Sequence, residues 1–116
     1  MADEADIEPL PDILELIERI ERQTSRMDKL GFLGDPDAQD AMAYRLLAIG
    51  EASLHLSAAL KVRNPQIPWH QIAGLRNLLA HEYFVRESDL IWETACEDLP
   101  ALAETCRIEL GPLKHR

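Results

Sequence analysis

Four polar side chains interrupt an otherwise apolar stretch of this sequence, GLRNLLAHEYF, and they are Arg76, Asn77, His81 and Tyr83. Arginine carries a permanent planar cation that suits phosphate oxygens. Histidine has the ordinary pKa nearest to neutrality, so it can accept and return a proton. Metal-free cleavage of RNA requires these two functions, because a proton must leave the 2′-OH while charge develops on a five-coordinate phosphorus. The reaction needs an acid as well as a base, and two histidines related by a two-fold axis would supply both.

The four residues do not converge on one point of a straight helix. Arg76 and Tyr83 fall on nearly the same face, whereas Asn77 and His81, at i and i+4, share another face. His81 lies about 140° around the axis from Arg76 at 100° per residue. Three arrangements would bring them together: the helix loosens near His81, the Arg76 side chain folds back, or a second copy of the motif completes the site from another subunit.

Other interpretations of these residues are less specific. A single histidine in an apolar helix is also typical of a structural residue bonded to a backbone carbonyl. No metal site is indicated, because His81 has no second histidine four residues away, and His55 and His70 have no ligand-like spacing. We expect His55 and His70 at the surface or in an interface. The sequence contains no nucleophile motif and no glycine-rich phosphate loop, so neither a cofactor nor a metal is expected.

The segments before the motif are predicted to be two long helices. The first runs from about Pro11 to about Lys29, ends in the glycines of KLGFLGDP, and buries one stripe, Leu10, Ile13, Leu14, Ile17 and Ile20. The second begins at the cap Asp35 and continues to about Arg63. It carries two apolar stripes, so it is central or contacts two neighbours, one of which could belong to another chain: Met42, Leu46, Ile49, Leu56 and Leu60 in the first, Leu47, Leu54 and Ala58 in the second.

Two residues of the second helix stand out. Gly50 costs roughly 1 kcal/mol relative to alanine in a helix interior, which indicates close approach of another backbone. Glu51 is a carboxylate in a largely apolar helix.

Prolines in NPQIPW break the chain before a third helix, which opens at Pro68 and carries the motif. Ser88 is predicted to cap a last helix that Pro100 kinks or splits, with an inward face of Ile91, Ala95, Leu99, Leu102 and Ile108. Trp69 and Trp92 are expected to anchor the core. The predicted architecture is an all-α, up-down bundle of four to five helices in one domain, residues 1–116, with flexible ends at 1–9 and 111–116.

Charge and composition restrict the function classes. The 116 residues carry a net charge of −9, which argues against a protein that simply coats nucleic acid, although residues 29–86 are close to neutral. The acidic flanks are typical of solvated faces but could also meet a basic partner. No apolar run suits a membrane span and the acidic N-terminus has no secretory character, so a cytoplasmic protein without membrane contact is expected. Cys96 and Cys106 are about 15 Å apart along a helix, so they are interpreted as unpaired, core-facing side chains.

The order Arg-Asn-x3-His-x-Tyr resembles the RX4HXY signature of HEPN domains, specifically the HepT-like toxins of HEPN–MNT toxin–antitoxin pairs. Three blocks resemble that family in the same order: LLAIGEAS, IPWHQIAGLRNLLAHEYF and DLIWETACEDLPAL. The resemblance covers most of the chain beyond the first helix.

The resemblance implies an all-helical homodimer, packed through helix faces, whose motif residues line a cleft between the subunits. It implies a metal-independent endoribonuclease toxin of a type II-like or type VII-like toxin–antitoxin system. In this family Arg76 would bind and polarise the phosphate of an RNA substrate, His81 would act as acid and base, and Asn77 would orient His81. Tyr83 would be the hydroxyl to which the cognate minimal nucleotidyltransferase (MNT) antitoxin attaches AMP. Gly50 and Glu51 match the Gly-Glu pair of the family's second helix and are interpreted as supporting, structural residues.

A non-catalytic alternative uses the same motif. In it the dimer is a nucleotide-binding scaffold and AMP-acceptor subunit for the nucleotidyltransferase, and Arg76 and His81 only bind nucleotide phosphates. The presence of the complete set Arg76, His81 and Tyr83 favours the enzyme.

Overall fold

The chain forms an all-α bundle in a computed structural model that describes residues 4–80 and 88–111, with the backbone alone for residues 78–80. Within these ranges a 3-10 turn, Glu4–Asp6, precedes seven α-helices and there is no strand: α1 Pro9–Ser25, α2 Lys29–Leu33, α3 Pro36–Ser53, α4 Ala58–Arg63, α5 Trp69–Ala80, α6 Ser88–Glu97 and α7 Leu99–Leu110. The predicted all-α bundle is confirmed. The helices are more numerous than the four to five expected, because the predicted long helices are interrupted.

The first interruption follows α1. The predicted apolar stripe of α1 is buried throughout, but the helix ends at Ser25 and not near Lys29. Asp28 then starts α2, because its Oδ1 accepts a hydrogen bond from the Gly31 N–H at 2.8 Å. The segment KLGFL is therefore a short helix in its own right, and its buried Phe32 ring lies 5.2 Å from the Trp92 ring.

The second interruption divides the predicted helix from Asp35 to Arg63. Asp35 caps α3 as predicted, with Oδ1 3.1 Å from the Ala38 N–H, but α3 ends at Ser53. The Ser53 hydroxyl donates to the Gly50 carbonyl at 2.7 Å, a contact that competes with continuation of the helix. Ser57 then caps α4, with its Oγ 3.2 Å from the Leu60 N–H.

Buried Asp6, near the N-terminus, fixes the Ser57 cap. Its carboxylate accepts hydrogen bonds from the Ser57 N–H at 2.7 Å and the Ser57 hydroxyl at 2.8 Å. Part of the range 1–9, expected to be a flexible end, is thus held against the domain. Because the chain turns here, Leu54 and Ala58 of the predicted second stripe are exposed, whereas Leu56 and Leu60 stay in the core.

The C-terminal segment is split as predicted, into α6 and α7, with Pro100 in the first turn of α7. Two predicted core positions are wrong: Ile108 is 66% exposed and Cys96 is exposed, although Cys106 is buried. The buried face of α7 follows Leu99, Leu102, Cys106 and Glu109. That spacing places Ile108 on the opposite side of the helix.

Helix α3 is central, as its apolar circumference predicts, because it packs against α1 on one side and α5 on the other. Helices α6 and α7 also pack against α1. Trp69 and Trp92 are partly buried and pack against the core, whose largest fully buried side chains include Phe32, Ile13, Ile17, Met42, Leu46 and Ile72. Among the helices of the described ranges, none has the length and apolar character needed to cross a membrane.

Candidate active site

At Gly50 the backbones of α3 and α5 approach each other closely. A Cβ atom at this position would lie 3.0 Å from the Ile72 carbonyl oxygen, 3.1 Å from the Arg76 nitrogen and 3.3 Å from the Arg76 Cγ. Two of these neighbours are backbone atoms of α5, which cannot move independently of the helix. The prediction of close backbone approach at Gly50 is confirmed, and the contact brings the first turn of the motif against the C-terminal half of α3.

Arg76 forms an ion pair across this contact. Its Nε lies 2.7 Å from Oε1 of Glu51, with the two side chains 45% and 50% exposed. A pair of this exposure contributes roughly 0–1 kcal/mol to stability, because water screens both charges. Its larger consequence is geometric, since the contact restricts the direction in which the guanidinium points.

The sequence did not predict that Glu51 pairs with Arg76. It indicated only a general supporting role for Glu51. One signal was available. Glu51 is the only carboxylate between Asp40 and Glu82, a stretch that contains most of two core helices. A single carboxylate within such an apolar stretch indicates that it has a specific cationic partner.

Asn77 follows Arg76 on α5 and is exposed. The structure therefore places Gly50, Glu51 and Arg76 at one junction of α3 with α5, and Asn77 comes next on α5. Helix α5 extends to Ala80, directly before His81 in the sequence. His81 and Tyr83 lie outside the described residues, so their catalytic and acceptor roles, like the way in which His81 meets Arg76, stay predictions.

The other histidines predicted at the surface, His55 and His70, are indeed exposed. Among residues 4–80 and 88–111 no group of His, Cys, Asp and Glu side chains has the arrangement of a metal site.

The fold and the junction define a small all-α domain in which a carboxylate orients an exposed arginine ahead of a His-x-Tyr segment. The family described as Ribonuclease HepT-like matches residues 13–108, and this chain belongs to that family.

Individual relatives are consistent with this membership. The chain is 40% identical over 93 residues to "Probable ribonuclease HepT" of Thermococcus cleftensis, which covers 80% of this chain and 84% of that protein. It is 32% identical over 99 residues to a "Putative RNase" of Methanocaldococcus jannaschii, covering 85% of this chain and 91% of the relative. A third similar protein, a "Putative RNase" of Caldanaerobacter subterraneus, is 38% identical over 71 residues, with 61% and 63% covered. No solved structure matches the chain significantly.

Proposed function

We propose that this protein is the toxin of a type II-like or type VII-like toxin–antitoxin system and acts in the cytoplasm as a metal-independent endoribonuclease. The observation that carries the proposal is the half-exposed Arg76 guanidinium, held by Glu51 at the start of the motif, in a member of the Ribonuclease HepT-like family. The names of the relatives, "Probable ribonuclease HepT" and "Putative RNase", support the same reaction class.

In the proposed reaction His81 removes the proton from a ribose 2′-OH. The 2′-oxygen then attacks the adjacent phosphorus, and the bond from phosphorus to the 5′-oxygen of the next nucleotide breaks. A protonated histidine supplies the proton that the leaving 5′-oxygen takes up. The products are a 2′,3′-cyclic phosphate and a free 5′-hydroxyl, so no water is consumed in this step.

Arg76 stabilises the negative charge that develops on the non-bridging phosphate oxygens. The ion pair with Glu51 engages Nε, and the terminal nitrogens of the guanidinium are the donors that we assign to phosphate. Glu51 is a positioning residue in this scheme, because it fixes the guanidinium before substrate binds. Asn77, one turn before His81, orients the imidazole.

A homodimer would supply the second histidine. Two α3 positions that are not fully buried support this arrangement: Tyr44 is 69% exposed, and Leu47 packs against the core but is only partly buried. A second copy that covers this face would contact the helix that carries Glu51. The antitoxin partner in this proposal is an MNT-type nucleotidyltransferase, which silences the toxin by transferring AMP to the Tyr83 hydroxyl.

The test is induction of the protein alone, beside His81→Ala and Tyr83→Phe, with growth and total RNA measured in each culture. We expect wild type to arrest growth and degrade RNA, and His81→Ala to do neither while keeping its fold and oligomeric state. In a second set of cultures that also express the nucleotidyltransferase, wild type should be silenced and Tyr83→Phe should still arrest growth. Arrest that persists in His81→Ala would refute the proposed mechanism.

The second candidate is the non-catalytic scaffold, in which Arg76 and His81 hold nucleotide phosphates and Tyr83 accepts AMP. The ion pair with Glu51 favours the scaffold, because it neutralises part of the Arg76 charge that the cleavage reaction would use. Purified, soluble and unmodified protein separates the two candidates: the scaffold forms the complex and is modified on Tyr83 but leaves RNA intact, whereas the toxin cleaves RNA.

A further inference from the structure

Most of the Lys and Arg side chains that form no ion pair within the described residues are clustered on the surface of this acidic protein. Five Lys and Arg side chains of the described residues are paired with acids: Arg19, Lys29, Arg63, Arg76 and Arg107. Four form no ion pair with a described residue: Arg22, Arg26, Arg45 and Lys61. Three of these four, all of them arginines, line one surface cavity of about 650 Å³.

The cavity lies between the C-terminal half of α1 and the N-terminal half of α3. Arg19 and Arg22 of α1 form one stripe with Arg26, the residue directly after the helix, at i, i+3 and i+7, which rises about 10 Å along the axis. Arg45 faces this stripe from α3. The ion pair of Arg19 with Glu15 is 3.5 Å long and largely exposed, so it competes weakly with another anion.

The Arg45 side chain is held in position. Its Nη1 donates to the Gln23 Oε1 at 2.6 Å, and the Gln23 Nε2 donates to the Ala38 carbonyl at 2.8 Å. Two acids, Asp35 and Asp37, also line the cavity, and the Asp35 carboxylate already accepts from the Ala38 N–H. Four arginines against two aspartates leave the cavity positive within a chain of net charge −9.

The cavity and the candidate active site both include residues of α3. Tyr44, which precedes Arg45, lines a second groove between α1 and α3 together with Glu51, the partner of Arg76. Tyr44 and Glu51 are seven residues apart, hence on the same face of α3. Arg45 and Glu51 are separated by about 9 Å along the helix axis. Arg45 lies about 120° around the axis from Glu51 at 100° per residue, and the groove beside Tyr44 also carries Asp12 and Glu15. The arginine cavity is therefore a separate site on another face of α3.

We propose that this cavity binds the phosphate backbone of single-stranded RNA at nucleotides away from the scissile bond. This inference rests on the proposed ribonuclease function and concerns the same substrate. Guanidinium groups bind phosphate oxygens with two parallel hydrogen bonds, and a row of them follows a strand whose phosphates recur every few ångströms. Local concentration of unpaired arginines would also let an acidic protein attract RNA, because interactions between exposed charges more than about 8 Å apart are largely screened at physiological salt.

The experiment measures binding of a labelled single-stranded oligoribonucleotide of mixed sequence to full-length protein carrying His81→Ala, which prevents cleavage during the titration. Arg22→Gln and Arg26→Gln are compared with Lys61→Gln, each in that background. All three remove one unpaired cation, but only Lys61 lies outside the cavity. Arg45→Gln is added, with circular dichroism to confirm the fold, since Arg45 also contacts Gln23.

We expect each arginine variant to weaken binding several-fold at low salt and to reduce the slope of log K against log salt by about 0.7, the value for one phosphate contact on a single strand. Lys61→Gln should leave the slope unchanged. Equal effects of the arginine and lysine variants, or no effect of any, would overturn the inference. Unchanged RNA binding with a weakened nucleotidyltransferase complex would also overturn it, because the cavity would then serve a protein partner.

Measuring RNA cleavage by protein that retains His81 separates this inference from the proposed function. Wild type that cleaves RNA, with arginine variants that bind RNA normally, contradicts the cavity and leaves the ribonuclease intact. Wild type that binds RNA through the arginines without cleaving it confirms the cavity and contradicts the ribonuclease.

Discussion

Arg76 Nε and Glu51 Oε1 lie 2.7 Å apart across the junction of α5 with α3, and both side chains remain about half exposed. An ion pair this accessible adds little to stability. The ion pair instead orients the Arg76 guanidinium, which binds the phosphate in the proposed reaction.

Glu51→Gln should therefore reduce RNA cleavage while leaving the fold almost unchanged. We expect a loss of about ten- to a hundred-fold in kcat/KM, the scale of a misoriented catalytic group, and a change of at most about 1 kcal/mol in the free energy of unfolding. The matched control is Glu18→Gln, which removes the comparably exposed pair with Arg107 between α1 and α7 and should not alter cleavage. Normal cleavage by Glu51→Gln would show that Glu51 does not position Arg76.

Gly50→Ala should destabilise the protein, although alanine is the better helix former. The added Cβ would lie 3.0 Å from the Ile72 carbonyl oxygen and 3.1 Å from the Arg76 nitrogen, so α5 must shift. Overpacking of this kind costs about 1–3 kcal/mol, against a gain of at most about 1 kcal/mol from helix propensity.

Gly74→Ala, in the same helix α5, is the matched control, because a Cβ at Gly74 would meet no atom of the described residues within 4 Å. It should stabilise the protein by up to about 1 kcal/mol. Urea unfolding of both variants measures the two free energies, and a Gly50→Ala variant as stable as wild type would contradict the close approach.

Glu109 should make stability depend on pH in the acid range. Its side chain is 6% exposed and accepts from Arg63 Nη2 at 2.7 Å and Asn64 Nδ2 at 3.0 Å. The Arg63 hydrogen bond, followed by that of Asn64, holds the pKa of the Glu109 carboxyl below its ordinary value of 4.5, against the opposing effect of burial. The stabilisation is therefore complete above pH 4.5 and is lost as the pH falls through the lower pKa of the folded state.

The measurement is the free energy of unfolding of wild type and Glu109→Gln from neutral pH to acid. We expect a loss of about 1–3 kcal/mol at neutral pH, discounted from the value for a fully buried pair because Arg63 is 38% exposed. The difference between the two proteins should shrink as the pH falls. Glu104→Gln, an exposed position of the same helix, should show no such trend.

The two cysteines should react at different rates. Cys106 is fully buried, and burial raises the pKa of its thiol to about 12, so it remains protonated and inaccessible in the folded protein. Cys96 is exposed, although partial desolvation raises its pKa too. Alkylation followed by mass spectrometry should give single modification at Cys96 in native protein and double modification after unfolding. Rapid labelling of Cys106 in native protein would contradict the packing of α7.

Local patterns predicted the helices well where one apolar face decides the structure. The α1 stripe, the cap Asp35, the break before α5 and the division at Pro100 all follow the sequence. The predicted continuation of α3 to Arg63 was wrong because its helical periodicity does continue through Leu56 and Leu60. What ends the helix is Ser53 and the Ser57 cap, and the Ser57 cap is held by Asp6, a partner 51 residues away.

The sequence by itself determined that the chain is helical, that Gly50 admits a neighbouring backbone and that Arg76 and Asn77 stand together before His81 and Tyr83. These properties depend on helix periodicity and side-chain chemistry, which are local. Only the tertiary structure paired Glu51 with Arg76 and gathered the stripe of Arg19, Arg22 and Arg26 opposite Arg45. Contacts between helices depend on the rotation and offset at which they pack, and these are set by the whole core at once.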